Sequence, residues 1–290
     1  MAFDTLQVGH IEVLALIDGD QGLGSPIAEA YPDIPVERLM AHRDLEPGIY
    51  GPDGSNRLRV RAWLVRHPAG ALLVDTGIGQ SGAPGVEWFG VPGMLLEALR
   101  ETGTTPDAID TVLLTHVHDD HIGGTVVFDD QQVPAPAFPN ARYVLQAADR
   151  EWQRELARID EEDRAIETLL ILPLEAAGVL DVIEGDQRLA EGLDAHLAPG
   201  HSPGHQVVRI HSEDRRAIIS ADAFNHPLQV GHPDWPSGSD DVPADAAMTR
   251  RALLAEALSH PGTTIAPTHF TDSFGHIRSG ADGSAAWVAA

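Results

Sequence analysis

Apolar positions along the chain alternate between two periods, and the order of the periods predicts the elements. Ile11–Ile17 is an apolar run that reads as a strand. Leu58–His67 and Ala71–Val74 are two more strand-like runs separated by Pro68-Ala69-Gly70, which reads as a hairpin. Met94–Thr102 has helical spacing, Pro106–Ile109 opens a short helical turn, and Thr111–Leu114 is a buried strand running into His116. Arg142–Leu145 follows as a strand, Ala147–Ile159 and Ala165–Leu172 as helices, and Leu180–Ile183 as a strand. The second part repeats the theme with a strand at Asp194–Leu197 and a hairpin of Gln206–His211 with Ala217–Ser220. An amphipathic helix over Ala246–Ser259 and a strand over Thr263–Ala266 then lead to His269.

The segment from Gly22 to Asn56 breaks this order. Its Pro, Gly and Asp content predicts a long irregular excursion with a short helix near Val36–Ala41, the kind of segment that supplies binding loops. Two halves of strands followed by helices predict an α/β fold, a four-layer αββα sandwich of two sheets flanked by helices. No linker divides the chain, so a single domain over residues 1–290 is expected, with 1–57 forming an N-terminal strand and the excursion.

Composition narrows the partners. The chain has 290 residues, 43% of them hydrophobic, enough for a substantial core. No stretch approaches the roughly 20 apolar residues of a membrane helix, and the first residues lack a basic-then-apolar leader. A cytoplasmic protein without membrane contacts is expected. Nineteen Lys and Arg against 44 Asp and Glu give a net charge of −25, which repels phosphate backbones and argues against nucleic acid. A small-molecule substrate is expected, with exposed parts of the N-terminal excursion as a candidate homodimer contact. Cysteine is absent, so thiolate ligands and disulfides are excluded, whereas 15 histidines raise the question of metal.

Thr115-His116-Val117-His118-Asp119-Asp120-His121-Ile122-Gly123-Gly124 answers it. From the end of a buried strand, His116 and His118 can reach one ion, while Asp120 and His121 can face a second. Neutral imidazole and carboxylate suit zinc, iron and manganese. Further candidates stand where other strands give way to loops: His201 and His205 in Pro199-Gly200-His201-Ser202-Pro203-Gly204-His205, Asp222 after the second hairpin, and His269 after the last strand.

This set of motifs resembles the metallo-β-lactamase fold superfamily from about Leu58 to His269. The layout is similar to the branch containing acyl-homoserine lactonases and methyl parathion hydrolase. The resemblance implies two mixed sheets flanked by helices and two divalent metal ions, Zn2+ first, with Mn, Fe or Co as alternatives. It implies that His116, His118 and His201 hold one ion and Asp120, His121 and His269 the other, with Asp222 bridging. Asp75, in Val74-Asp75-Thr76-Gly77, matches the aspartate that supports the metal loop, and His205 a histidine behind the ligands.

The expected reaction is attack by a hydroxide shared between the ions on a lactone, ester or phosphotriester, with Asp120 orienting it and moving its proton. The alternative on the same fold is an iron-dependent oxidoreductase of the persulfide dioxygenase type. Trp88, Phe89, Phe224, His226 and Phe270 are candidate substrate contacts.

Overall fold

The computed structural model describes residues 3–41, 43, 48–50, 54–280 and 284–290. Positions 42, 44–47 and 51–53 of the predicted excursion lie outside the described residues. In chain order the elements are β1 (Thr5–Val8), β2 (Ile11–Pro26), α1 (Ile27–Ala30), α2 (Val36–Met40), β3 (Ser55–His67), β4 (Gly70–Val74), α3 (Gly85–Phe89) and α4 (Leu95–Glu101). Next come β5 (Thr111–Leu113), α5 (Asp119–Ile122), β6 (Val126–Phe128), β7 (Pro134–Pro136), β8 (Arg142–Gln146), α6 (Ala147–Leu156), α7 (Glu161–Ile166), α8 (Leu172–Ala177) and β9 (Leu180–Ile183). The remainder is β10 (Gln187–Ala190), β11 (Leu193–Leu197), β12 (Gln206–Ser212), β13 (Arg215–Ala221), α9 (Leu228–Gly231), α10 (Pro243–Ser259), β14 (Thr264–Pro267), β15 (Gly275–Ser279) and β16 (Ala285–Ala289).

The chain divides into two compact units, one of Met1–Gly19 with Val60–Gly185, the other of Asp20–Arg59 with Asp186–Ala290. Each carries the larger part of one seven-stranded mixed sheet. The first sheet has the order β1-β2-β3-β4-β5-β8-β9, with an antiparallel β3–β4 hairpin and parallel pairing from β4 through β9. Its core gathers Leu14, Leu64, Leu73, Val112, Tyr143 and Leu145 with Leu99 of α4 and Leu170 and Leu174 near α8. Burial on both faces explains why β5 reads as an unbroken apolar run.

The second sheet has the order β10-β11-β12-β13-β14-β15-β16, antiparallel except for the parallel pair β13–β14. Val207, Ile218 and Ile265 pack there against Leu253, Leu254 and Ala257 of α10. A smaller cluster of Ile27, Tyr31, Ile34, Leu39, Ile49 and Tyr50 packs with Leu228 in the same unit. The predicted irregular excursion is therefore partly regular: β2 runs on to Pro26, α1 follows it, and buried apolar side chains anchor the segment.

The helix predicted at Ala165–Leu172 is displaced. Asp160 caps α7 by accepting from the backbone N–H groups of Glu162 and Asp163 at 2.9 and 3.2 Å, so the helix starts at Glu161. Pro173 in the first turn of α8 has no N–H for the preceding carbonyl ladder, and Glu167–Ile171 widens into a π-helical turn. Arg150 braces that turn, with paired bonds to Glu167 at 2.8 and 2.9 Å and one to Glu175 at 2.8 Å. Strands β15 and β16, helix α3 and the β6–β7 pair were not predicted; they are short or lack the alternation that marks a strand. Among the described residues no helix is long and apolar enough to cross a membrane.

Candidate metal centre

In the first unit β4 ends at Asp75, which turns the chain with φ 62°. The following Thr76-Gly77 backbone lies beside the histidine loop: Thr76 N donates to the His121 carbonyl at 2.6 Å, and Gly77 bridges Ile122. Gly123 and Gly124 permit this approach, since a Cβ on either would strike the carbonyl of Ile78 or Thr76. His118 is extended at the start of α5, so His116 and His118, two residues apart, share a side. Asp120 and His121 occupy the helical turn that follows.

Asp75 is the hub of this loop. Its Oδ1 accepts from Thr115 N at 2.8 Å, and its Oδ2 from Thr115 Oγ1 at 2.9 Å and His121 Nδ1 at 2.8 Å. Burial pushes the Asp75 carboxyl up, against the opposing pull of His121 and Thr115. Because a carboxylate only accepts, His121 carries its proton on Nδ1 and keeps the Nε2 lone pair, 3.7 Å from Asp120 Oδ2. Thr115 Oγ1 has given its hydrogen to Asp75, so it accepts from His116 Nδ1 at 3.0 Å. His116 Nε2 then converges on His118 Nδ1 at 2.9 Å.

Behind the loop Asp149 Oδ2 accepts from Val117 N at 3.0 Å. Asp18 accepts from the backbone of Ile78 at 2.7 Å and of Leu95 at 2.6 Å. Burial outweighs those bonds and pushes the Asp18 carboxyl up to about 6.

In the second unit β13 ends at Ala221, whose φ of 42° aims Asp222. His205 donates from Nδ1 to the Ala198 carbonyl at 3.0 Å and accepts from Asp222 N through Nε2 at 3.2 Å. Both its nitrogens thus serve the loop. His269 donates from Nδ1 to the Arg59 carbonyl at 2.7 Å, which leaves the Nε2 lone pair facing Asp222 Oδ2 at 3.0 Å. Asn225 Nδ2 donates to the same carboxylate oxygen at 2.8 Å, and His201 Nε2 lies 3.5 Å from it. His201 Nδ1 faces Asp240 Oδ1 at 3.3 Å. Despite its burial, the Asp240 carboxyl is held below its usual range by His201 and Arg250.

This donor set fits divalent cations. The four fixed rings of His116, His121, His201 and His269 each commit Nδ1 to a neighbouring oxygen, which assigns the proton there and leaves the Nε2 lone pair. Those of His121, His201 and His269 face carboxylate oxygens, which supply no proton to a neutral ring, and that of His116 faces His118 Nδ1. Buried imidazole lone pairs set against carboxylates are what zinc and similar ions take.

The structure brings the predicted ligands together as two sets, His116, His118, Asp120 and His121 in the first unit and His201, Asp222 and His269 in the second. Four of the five candidate substrate contacts are buried. Phe224 and Phe270 are 1% exposed in the apolar core of the second unit, and Phe89 is buried with its ring edge-on to Trp88. Trp88 is 53% exposed on α3. His226 is buried edge-on to Tyr31 and Tyr50, with Nδ1 accepting from Leu228 N at 3.0 Å.

Asp18, Asp240 and Arg250 were not singled out in the sequence, and Asn225 carried no role there. Arg250 had a signal: it stands on the apolar stripe of α10, between Ala246 and Leu253. Asn225 and Asp240 sit in turn-like segments, where acidic and amide residues are common, and Asp18 lies within β2.

A family model for the metallo-β-lactamase superfamily matches residues 56–269, a span that includes all seven predicted ligands. The N-acyl homoserine lactonase AiiA of Bacillus thuringiensis subsp. kurstaki is 28% identical over 199 residues, covering 64% of this chain and 72% of the relative. The probable metallo-hydrolase YybB of Bacillus subtilis (strain 168) is 31% identical over 189 residues, covering 64% and 71%. The solved structure of AidC, a dizinc quorum-quenching lactonase in complex with a product, superposes with a TM-score of 0.82 at 24% identity, over 99% of this chain and 97% of that one. The chain belongs to the metallo-β-lactamase superfamily and has its metallo-hydrolase fold of two mixed sheets with flanking helices.

Proposed function

We propose that the protein is a dinuclear metal-dependent hydrolase of small ester-like substrates, with lactones first and other esters and phosphotriesters behind them. The observation that carries this reading is the pair of ligand sets, with the ring protons of His116, His121, His201 and His269 assigned by their bonds to neighbouring oxygens, inside one family match. In this reading His116, His118 and His201 hold one divalent ion, Asp120, His121 and His269 hold the second, and Asp222 bridges them. Zinc is the first choice, and AiiA and AidC favour a lactone.

When bound, the ions supply Lewis acidity toward the substrate oxygen and acidify water enough for attack near neutral pH. The protein does the rest. Asp120 orients the attacking water, accepts its proton on a carboxylate oxygen and delivers it to the leaving alkoxide as the C–O bond breaks. Asp75 holds His121 directly and His116 through Thr115, so both rings keep Nε2 as the donor atom. His205 and Asn225 fix the backbone and carboxylate of Asp222. The acidic surface suits a neutral substrate in the cytoplasm.

The test is metal analysis of protein purified without added metal, followed by a hydrolysis screen over lactones, aryl esters, thioesters and phosphotriesters. Two divalent ions per chain and turnover of a lactone or related ester are expected. One iron per chain with oxygen consumption would replace this reading by the dioxygenase alternative.

A further inference from the structure

The second unit contains a closed ion pair behind a proposed ligand. The side chains of Asp240 and Arg250 are both 0% exposed. Asp240 Oδ2 accepts from Arg250 Nη1 at 3.1 Å and from Ser237 N at 3.0 Å, while Oδ1 faces His201 Nδ1 at 3.3 Å. Arg250 Nε donates to the Pro233 carbonyl at 2.8 Å, so the guanidinium cannot swing away without losing a buried bond.

The backbone around the pair is equally tied. Asp241 N donates to the His201 carbonyl at 3.0 Å and Val242 N to the Gly200 carbonyl at 2.9 Å. Thr249 Oγ1 donates to the Pro199 carbonyl at 2.7 Å. Gly200, at φ 134°, lies so close to the Ala246 backbone that a Cβ has no room. Residues 237–250 thus grip the 199–201 loop by main chain and side chain together.

We propose that Asp240, locked in place by Arg250, is the positioning residue that sets the tautomer of His201 and so makes its Nε2 a metal ligand; this rests on the dinuclear reading above. The carboxylate has no hydrogen to give, so the His201 proton must reside on Nδ1. Arg250 and Ser237 N, both donors, decide which Asp240 oxygen is left for the histidine. The arrangement in the second unit parallels that of Asp75 and His121 in the first, but its carboxylate comes from a loop that no metal motif marks.

Asp240→Asn separates tautomer control from packing. The new amide oxygen must turn toward Arg250 and Ser237 N, because its NH2 group would oppose two donors there. That puts the NH2 against His201 Nδ1, which must then accept, and moves the ring proton to Nε2.

Long-range 1H–15N NMR of the metal-free protein, with the His201 signals assigned through His201→Gln, reads the tautomer directly. Metal titration against a chromophoric chelator, using Zn2+ alone, reads the consequence. The wild type should show Nδ1–H and the variant Nε2–H, and one of two zinc sites should weaken by about 10–100-fold with the other unchanged. A wild-type Nε2–H tautomer, or wild-type affinity at both sites in the variant, would overturn the proposal. Should Asp240→Asn fail to fold, the wild-type spectrum still decides. A wild type with Nδ1–H that takes up no pair of zinc ions would defeat the dinuclear reading and leave the tautomer assignment standing.

Discussion

The two units use the same order of elements and fix their ligands differently. In the first, the β3–β4 hairpin ends at Asp75 with φ 62°, and the parallel neighbour β5 leads into the histidine loop. In the second, the β12–β13 hairpin ends at Ala221 with φ 42° and Asp222, and the parallel neighbour β14 leads to His269. A left-handed residue at the end of a strand turns the next groups out of the sheet, and both units accept that strain at the same topological point. Beyond it they diverge. The first unit places four proposed ligands on one loop and orients two through a single buried carboxylate. The second spreads three proposed ligands over three loops and gives each its own holder: Asp240 for His201, His205 for Asp222 and the Arg59 carbonyl for His269. One unit concentrates control in a hub, and the other distributes it.

Substitutions can break or sharpen that contrast. The largest effect is expected where ligand and chemistry coincide. Asp120→Ala and His118→Ala should each lower kcat/KM by about 10^3-fold or more in steady-state assays with metal-loaded enzyme. Turnover near the wild-type level in either variant would remove that residue from the reaction.

Hub and distributed control should differ in stability. Asp75→Ala strands three buried donors and should cost about 3 kcal/mol or more in chemical denaturation of the metal-free protein, at about 1–3 kcal/mol per stranded group. His205→Ala strands Asp222 N and the Ala198 carbonyl and should cost less, about 2 kcal/mol. Equal costs would mean that Asp75 is not a hub.

Asp18 adds a pH signature peculiar to the first unit. Its carboxyl lies at about 6 in the fold and near 3.8 when unfolded. Between those values the native state holds a proton that the unfolded chain has released, so stability from this group falls as pH rises from about 4 to about 6. Asp18→Asn should remove that slope, shifting the stability difference from wild type by up to about 3 kcal/mol across the window. Parallel curves for the two proteins would contradict the assignment.

Asn225→Ala should have the smallest effect. It removes one bond to Asp222, so about a tenfold loss in zinc affinity with the fold intact is expected, read by chelator competition.

The same contrast explains what was legible in the sequence. Four ligands within six positions after an apolar strand form a pattern that only metal binding explains well, and Asp75 stands at a strand end with a recognisable turn. The second unit's ligands are single residues in ordinary turns, and they became recognisable through their order along the family pattern. Asp240 had no signal, because its role depends on a fold that brings Ser237, Arg250 and His201 around it. The burial of Phe224 and Phe270 was not legible, because closeness in sequence to a proposed ligand says nothing about which side of the strand end a ring takes; both turn into the core. The excursion over Gly22–Asn56 looked irregular because its order comes from tertiary burial of Ile27, Tyr31, Leu39 and Tyr50 rather than from a repeating pattern.

The central claim is that the two ligand sets serve one pair of cations. Anomalous diffraction from crystals grown with zinc tests it most directly. The proposal predicts two ions about 3.5–4 Å apart, with His121 and His269 coordinated and Asp222 touching both. Ions bound by one unit alone, or a single ion that leaves His121 and His269 uncoordinated, would contradict it.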